Sequence, residues 1–584
     1  MGKKPLRIPL RTLALPLIVI ATLPRSAPAQ GRLQETTLRN RQAVVDSSEI
    51  TRHARDLQAR FEGRRRHMLP RFYLGPADRC LIVGRFCEWH PRSSQEFVVP
   101  DEGNDIRRAR AELLRDLEKA GNSVPGDDWI IGQRIRYLVE GHDTSAIGVA
   151  RSCRATRWWC DALAGLALHV SGNFAAADSS FAAALDEMPP ARRCHWLNLS
   201  PLLDDDLRGT YRKMSCAQRE AADARIWWIA DPLYMTPGNE RRTEHFARVL
   251  HTVLEEDAAN TYGSRWGGDL AELILRFGWA EKWTQQPPTT NYLGAEISVT
   301  GHEPEPGYHF FLTRRPPDSV AEIADTLFEI HQFPPREQYA PPYARSFTDL
   351  DAQVARFRRG DSTRIVAAFD VSADTIFRRH KFAAALIAMG DETTHPSMNV
   401  IEESPAKNVI TVSTPWKSQL IGVELLAKDS AGAARWRTGF AEIPLDSGKI
   451  SVSDLLFVDG APSLPSDLTQ AIIQAHAGTK FKRDKQVGLF WELYGRTPAD
   501  SALPISLTIT PIDQGFIRRA FRALRIVPKV TPLNIRWQEN GVSGVLSARS
   551  VLLDLSLVPA GKYAVKLEVG HYPLAVASRI IEVE

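Results

Sequence analysis

The sequence has no cysteine after Cys216 and no acidic residue before Glu35. It has no apolar run near the roughly 20 residues that a bilayer-spanning helix needs. The run closest to the N-terminus, Leu13 to Leu23, is only 11 residues long. It also lacks a G-x-S-x-G elbow, a Walker-type phosphate loop, a G-x-G-x-x-G turn and an H-E-x-x-H helix. These absences argue against the commonest hydrolase, nucleotide-binding and zinc-protease architectures. No catalytic residue, cofactor or metal ligand is expected.

What stands at the N-terminus is a leader pattern. Lys3, Lys4, Arg7 and Arg11 precede the apolar run, and Ala27-Pro28-Ala29 follows it as a small-x-small cleavage signature. Residues 1–29 therefore read as a secretory signal peptide, with the mature chain starting at Gln30 in the periplasm or outside the cell. The formal charge of +4 includes five basic leader residues and no acid, so the remainder carries −1. Such a balance gives no reason to expect nucleic acid as a partner, and the mature chain is not expected to be an integral membrane protein.

Export permits disulfides. Cys80, Cys87, Cys153, Cys160, Cys194 and Cys216 fall into sequential pairs, and local pairing is the simplest reading. Spacings of seven, seven and twenty-two residues do not suit a zinc knuckle. A local Cys153–Cys160 bridge is expected most specifically.

Residues 30–70 read as helix, with Leu57 and Phe61 on one stripe and Arg64-Arg65-Arg66-His67 as a solvated helix end. A second amphipathic helix covers 104–125. Beyond it, Gly165, Gly172, Phe174, Ala177, Phe181, Ala184 and Pro189 resemble a tetratricopeptide repeat, and Gly141, Ala146 and Ala150 resemble a weaker one before it. Small residues would let antiparallel helices cross closely, with the two phenylalanines between them.

The block from Trp227 to Trp283 resembles the GWxTD-domain family of bacterial exported proteins. Trp266 and Asp269 match the motif, and Arg276, Phe277 and Gly278 match a later Arg-aromatic-Gly element. Arg265 and Gly268 depart from the family's Gly and Thr. The resemblance implies a short strand over Leu270–Phe277, and it brings no established activity. Trp266, Asp269, Arg276 and Gly278 are read as structural motif residues.

Residues 285–345 are rich in proline and read as an extended linker along the surface. Strand patterning follows, including Val409–Val412 and Leu420–Leu426. Leu553 to Val569 reads as a hairpin turning at Pro559-Ala560-Gly561. The fold class is thus multidomain α+β, with all-β immunoglobulin-like sandwiches at the C-terminus. Its expected parts are 1–29 signal peptide, 30–103 helical segment, 104–224 helical repeats, 225–284 GWxTD-like domain, 285–360 linker, and sandwiches at 361–450 and 451–584.

Three other features are weighed against blander readings. His302, Glu303, Glu305 and His309 read as a polar loop over a seam rather than a metal site. Asp204-Asp205-Asp206 reads as a helix start rather than a calcium loop. Trp158, Trp159, Trp227, Trp228, Trp266, Trp279 and Trp283 read as core rather than sugar platforms. The function expected is a non-catalytic interaction or scaffold protein of the bacterial envelope. Its partner, another envelope protein or peptide, would bind through the helical repeat. A hydrolase of an envelope polymer and a carbohydrate-binding protein are the alternatives.

Overall fold

The computed structural model describes residues 29–72, 80–89, 98–285, 299–330, 336–443, 449–460, 463–483, 485–495, 502–512, 532–540, 545–571 and 574–584. Residues 1–28, the body of the expected signal peptide, lie outside the described residues. Among the described residues, helices fill the N-terminal part and mostly antiparallel sheets fill the C-terminal part. No helix among them is long and apolar enough to cross a membrane.

The chain opens with α1 (Ala29–Met68) and a two-stranded ribbon, β1 (Cys80–Val83) and β2 (Phe86–Trp89). There follow α2 (Asn104–Ser123), α3 (Asp128–Glu140), α4 (Ser145–Arg151), α5 (Arg157–Val170) and α6 (Phe174–Glu187). Next come α7 (Pro190–Trp196), α8 (Asp205–Tyr211), α9 (Cys216–Ala230), α10 (Glu240–Glu256) and α11 (Gly268–Phe277). The α5–α6 pair crosses closely because Gly165 has no side chain; a Cβ there would lie 2.9 Å from the Phe181 ring. Asp127 caps α3 and Asn173 caps α6, each accepting from a backbone N–H of the first turn.

Two disulfides staple this helical part. Cys153 and Cys160 join the end of α4 to α5 with Cα atoms 5.7 Å apart, as the spacing predicts. Cys194 and Cys216 join α7 to α9 with Cα atoms 5.6 Å apart. Cys80 and Cys87 stand on the adjacent strands β1 and β2, and their side chains lie outside the described residues.

Three expectations are corrected here. Leu270–Phe277 is helix α11, not a strand. Leu270, Leu273, Ile274 and Phe277 are buried at helical spacing. Arg65 is not a solvated helix end: it is buried and ion-paired with Glu140 at 2.5 Å and Glu102 at 3.2 Å. The proline-rich stretch is not a surface linker. Its strands β3 (Lys282–Gln285) and β4 (Val299–His302) pair with each other. Tyr308 and Phe310 share a core with Leu233 and Phe347, while Phe311, Ile323 and Phe328 share one with Trp227 and Ile387. The stretch is thus a mortar layer between helices and sheet.

The first β region is two facing sheets. β6 (Ala352–Arg359), β7 (Ser362–Asp370) and β10 (Lys407–Pro415) form one. The other is ordered β5 (Phe347–Asp349), β12 (Ala433–Phe440), β11 (Gln419–Ala427), β8 (Phe382–Met389) and β9 (Ser397–Ile401). β5 and β6 thus lie in the first β region, not in a linker. The second β region faces β13 (Ser451–Val452), β16 (Gln486–Tyr494), β14 (Leu456–Asp459) and β19 (Leu546–Asp554) against a five-stranded sheet. That sheet is ordered β15 (Lys480–Phe481), β21 (Ala575–Val583), β20 (Gly561–Val569), β17 (Ala502–Pro511) and β18 (Leu533–Asn540); α12 (Leu468–Ile473) lies between β14 and β15 in the chain. The expected Leu553–Val569 hairpin is a crossover: β19 pairs with β16, and β20 pairs with β17 and β21. Leu553, Leu555 and Tyr563 still meet in one core, because the two strands line its opposite walls.

Candidate functional site

α10 lies at the centre of the helical part. Asn239 caps it by accepting from Arg242 N. Its apolar stripe, Phe246, Ala247, Leu250 and Leu254, enters the core shared by α3, α5 and α6. α10 thus packs on the same helices that the sequence marks as repeat-like. The rest of α10 is polar and equally buried: Arg241, Glu244, His245, Arg248, His251 and Glu255 are all inside.

These groups persist because each charge is matched. Arg241 pairs with Glu337 at 2.6 Å, both fully buried. Glu337 also takes His309 Nδ1 at 3.0 Å and the N–H groups of Phe310 and Phe311. Burial alone would raise the Glu337 pKa, but Arg241 and His309 outweigh it and hold it at about 2. Glu244 accepts from Arg248 Nε at 2.5 Å and meets His169 Nε2 at 2.7 Å. A carboxylate only accepts, so Nε2 of His169 carries the proton. Against burial, Arg248 and His169 hold Glu244 below the usual carboxylate range. Arg248 further donates to the carbonyls of Leu275, Arg276 and Gln338. The histidines behave oppositely: burial, with Arg241 or Arg136 nearby, lowers His245 and His251 to about 3. They are neutral, and His251 stacks on Trp279 with centroids 4.2 Å apart.

Along this helix opens a cleft of about 380 Å³. One wall comes from Val139, His142, His169 and Trp279; the other from Pro304, Glu305, Pro306, Tyr339, Pro341 and Pro342. Four acids line it, and they differ. Glu140 is paired with Arg65 and Arg110, and Glu244 with Arg248. Glu281 and Glu305 have no hydrogen-bond or ion-pair partner among the described side chains. Both are exposed, and desolvation by the neighbouring protein shifts both pKa values upward. The Tyr339 hydroxyl is buried beside them, also without a partner. Arg248 and Arg345 are the guanidinium groups in the cleft lining.

The motif residues sit apart from this cleft. Asp269 lies in the first turn of α11 and accepts from Arg85 Nε at 2.6 Å, Arg85 N at 3.2 Å and Leu270 N at 3.0 Å. The Arg85 hydrogen bond holds its pKa well below the usual carboxylate range. It thereby ties the β1–β2 turn to α11. Gly84 in that turn has φ +55, and a Cβ there would come 2.3 Å from the Cβ of Asp269. Arg276 pairs with Glu272 at 3.2 Å and donates to Arg336 O at 2.7 Å. Gly278 ends α11 with φ +102, as a helix-terminal glycine does. Trp266 is half-buried and lines a separate groove.

The other candidates disperse. His302 meets Thr284 Oγ1 at 2.8 Å, whereas His309 meets Glu337, so the two imidazoles face different partners. Asp204-Asp205-Asp206 stands at the start of α8. Trp158, Trp159, Trp227, Trp228 and Trp283 are core, which leaves Trp266 and Trp279 with open surface. Of the cleft acids, Glu305 belongs to the His302–His309 cluster visible in the sequence. Glu281 and Tyr339 carried no local signal, because long-range packing alone brings them together.

No protein-family model matches the chain, and no curated protein matches it. Among solved structures it is similar to native alpha-2-macroglobulin from Escherichia coli, spanning domain MG7 to the C-terminus, at 10% identity and a TM-score of 0.15. That match covers 82% of this chain and 60% of the other. It is also similar to a calcium-binding mutant of Bacteroides uniformis beta-glucuronidase 2, at 9% identity and a TM-score of 0.13, over 38% of this chain and 26% of that one. The chain thus spans well under the full length of either, and likeness at this level carries no argument about function.

Proposed function

We propose that the chain is an exported, non-catalytic interaction protein of the bacterial envelope, and that the cleft along α10 is its binding site. In this reading it is a divergent GWxTD-domain protein. α3 to α6 act as a tetratricopeptide-like scaffold closed by α10, and the two β regions act as immunoglobulin-like spacers. The leader pattern and the two disulfides support export. One observation carries the site: Glu281 and Glu305 stand exposed and unpartnered in the lining of one cleft, beside the buried, unpartnered Tyr339 hydroxyl. A cation entering the cleft would supply what both lack, and the proline ridge would hold the stem of a lysine or arginine. The partner is a basic peptide segment. In fluorescence anisotropy a labelled Lys/Ala peptide binds and its Glu/Ala counterpart does not. The Glu281→Gln, Glu305→Gln double variant binds about tenfold more weakly, as the loss of charge-assisted bonds implies. Equal binding of the acidic peptide, or indifference to the double variant, contradicts the reading.

A hydrolase is the second reading, favoured by two unpaired carboxyl groups in the lining of one cleft, the group type that acid–base hydrolysis uses. It requires turnover of an envelope polymer that Glu305→Gln abolishes.

A further inference from the structure

Trp266 is the motif residue that the cores do not absorb. It is half-buried, and among the described residues its ring has no aromatic or cationic partner. It lines a groove of about 680 Å³ between α1, the start of α3 and the loop joining α10 to α11, within the volume range of small-molecule sites. The groove is also lined by Trp129, whose indole N–H donates to Asp257 O at 3.0 Å.

The rest of the lining is polar and incompletely paired. Asn260 is 5% exposed. Its Nδ2 donates to Ser264 O at 2.8 Å, which fixes Oδ1 as the acceptor, and Oδ1 has no partner. Ser264 Oγ and Arg66 Nε are likewise buried without one. Asn260, Ser264 and Arg66 all line the groove, and each carries a buried polar atom that the protein leaves unsatisfied, at a cost if it stays so. The remaining charges nearly cancel. Arg55 is paired with Asp257 at 2.9 Å, and Glu62 is taken by Tyr137 and Thr261. Asp56 and Glu256 are then set against Arg66 and Arg265.

A ligand matching this lining is uncharged, rich in hydroxyls able both to donate and to accept, and has an apolar face for an indole. We infer that the groove binds a neutral saccharide, with a sugar ring against Trp266 and hydroxyls directed to Asn260, Ser264 and Arg66. The C–H groups of a pyranose face carry slight positive charge and suit the electron-rich indole face. This site is independent of the α10 cleft.

The test is calorimetric titration of the full chain with neutral tetrasaccharides of glucose, mannose, galactose and N-acetylglucosamine. At least one binds saturably. Trp266→Ala weakens it about tenfold, the worth of one aromatic contact. Ser264→Ala, which deletes only a hydroxyl, weakens it less but measurably, and so covers the case in which Trp266→Ala fails to fold. Both variants keep the melting temperature of the parent if folded, and both bind the Lys/Ala peptide as the parent does. No saturable binding of any of the four up to about 10 mM overturns the inference and leaves the unpaired atoms to ordered water. Binding that neither variant weakens, or binding confined to a charged saccharide, overturns it as well.

Discussion

α10 and the core of the second β region are buried to the same degree and built from opposite chemistry. The β core packs apolar side chains of both sheets, from Val452 and Leu455 to Ile581 and Val583. Its stability scales with area removed from water, and each residue contributes independently of any one partner. α10 buries Arg241, Glu244, His245, Arg248, His251 and Glu255. Such a helix is held only as long as every charge keeps its counter-charge. Apolar residues of like volume would hold a helix as well or better, so the polarity points to a demand other than stability. The cleft with its unpaired acids opens beside α10.

The largest effect should come from breaking one pair. Glu337→Gln leaves Arg241 buried without a counter-charge, and chemical denaturation should show a loss of about 3–5 kcal/mol in the helical part. Leu567→Ala in the β core should cost about 3 kcal/mol through its cavity. A larger loss for Leu567→Ala than for Glu337→Gln would reverse the contrast.

A second test sharpens the helical side through pH. Asp223 is raised to about 7 by burial, against the Tyr211 hydroxyl that donates to it. Its folded pKa lies above its unfolded one, so the folded state holds the proton between about pH 4 and 7. That contribution is full at low pH and is lost as pH rises toward 7. Asp223→Asn removes it, so on going from pH 5 to 7 the variant should gain about 2 kcal/mol relative to the parent. Unchanged pH dependence would mean that Asp223 is ionised where it stands. Buried His245 and His251 act in the opposite sense, since unfolding lets them protonate as pH falls below about 6.5; both chains share that background.

The smallest effect concerns the motif. Asp269→Ala removes the bonds to Arg85 and Leu270, and should lower stability by about 1 kcal/mol. Asp269→Asn keeps an acceptor and should cost less, because Arg85 is half exposed and the pair is screened. Thermal melts with no shift for either would remove the structural role.

The elements that local pattern could reveal were legible. Gly165 and Phe181 meet as their spacing implies, and Cys153 joins Cys160. α11 was legible too, had the spacing of Leu270, Leu273, Ile274 and Phe277 been weighed above the family's strand. The Leu553–Val569 crossover was not, since alternation shows which face is buried and not which strand is the neighbour. Least legible was α10. Nothing local shows that its charges are buried, because the counter-charge of Arg241 is Glu337, 96 residues away. The cleft acids come together the same way, across stretches whose separation no local rule spans.

The account rests on Glu281 and Glu305 being unpaired carboxylates whose surroundings raise their pKa values. Carboxyl 13C titration, assigned by difference against Glu281→Gln and Glu305→Gln, measures this directly. Both groups should titrate above the ordinary glutamate value of about 4.3, and adding the Lys/Ala peptide should bring both down. Ordinary values that the peptide leaves unmoved would contradict it.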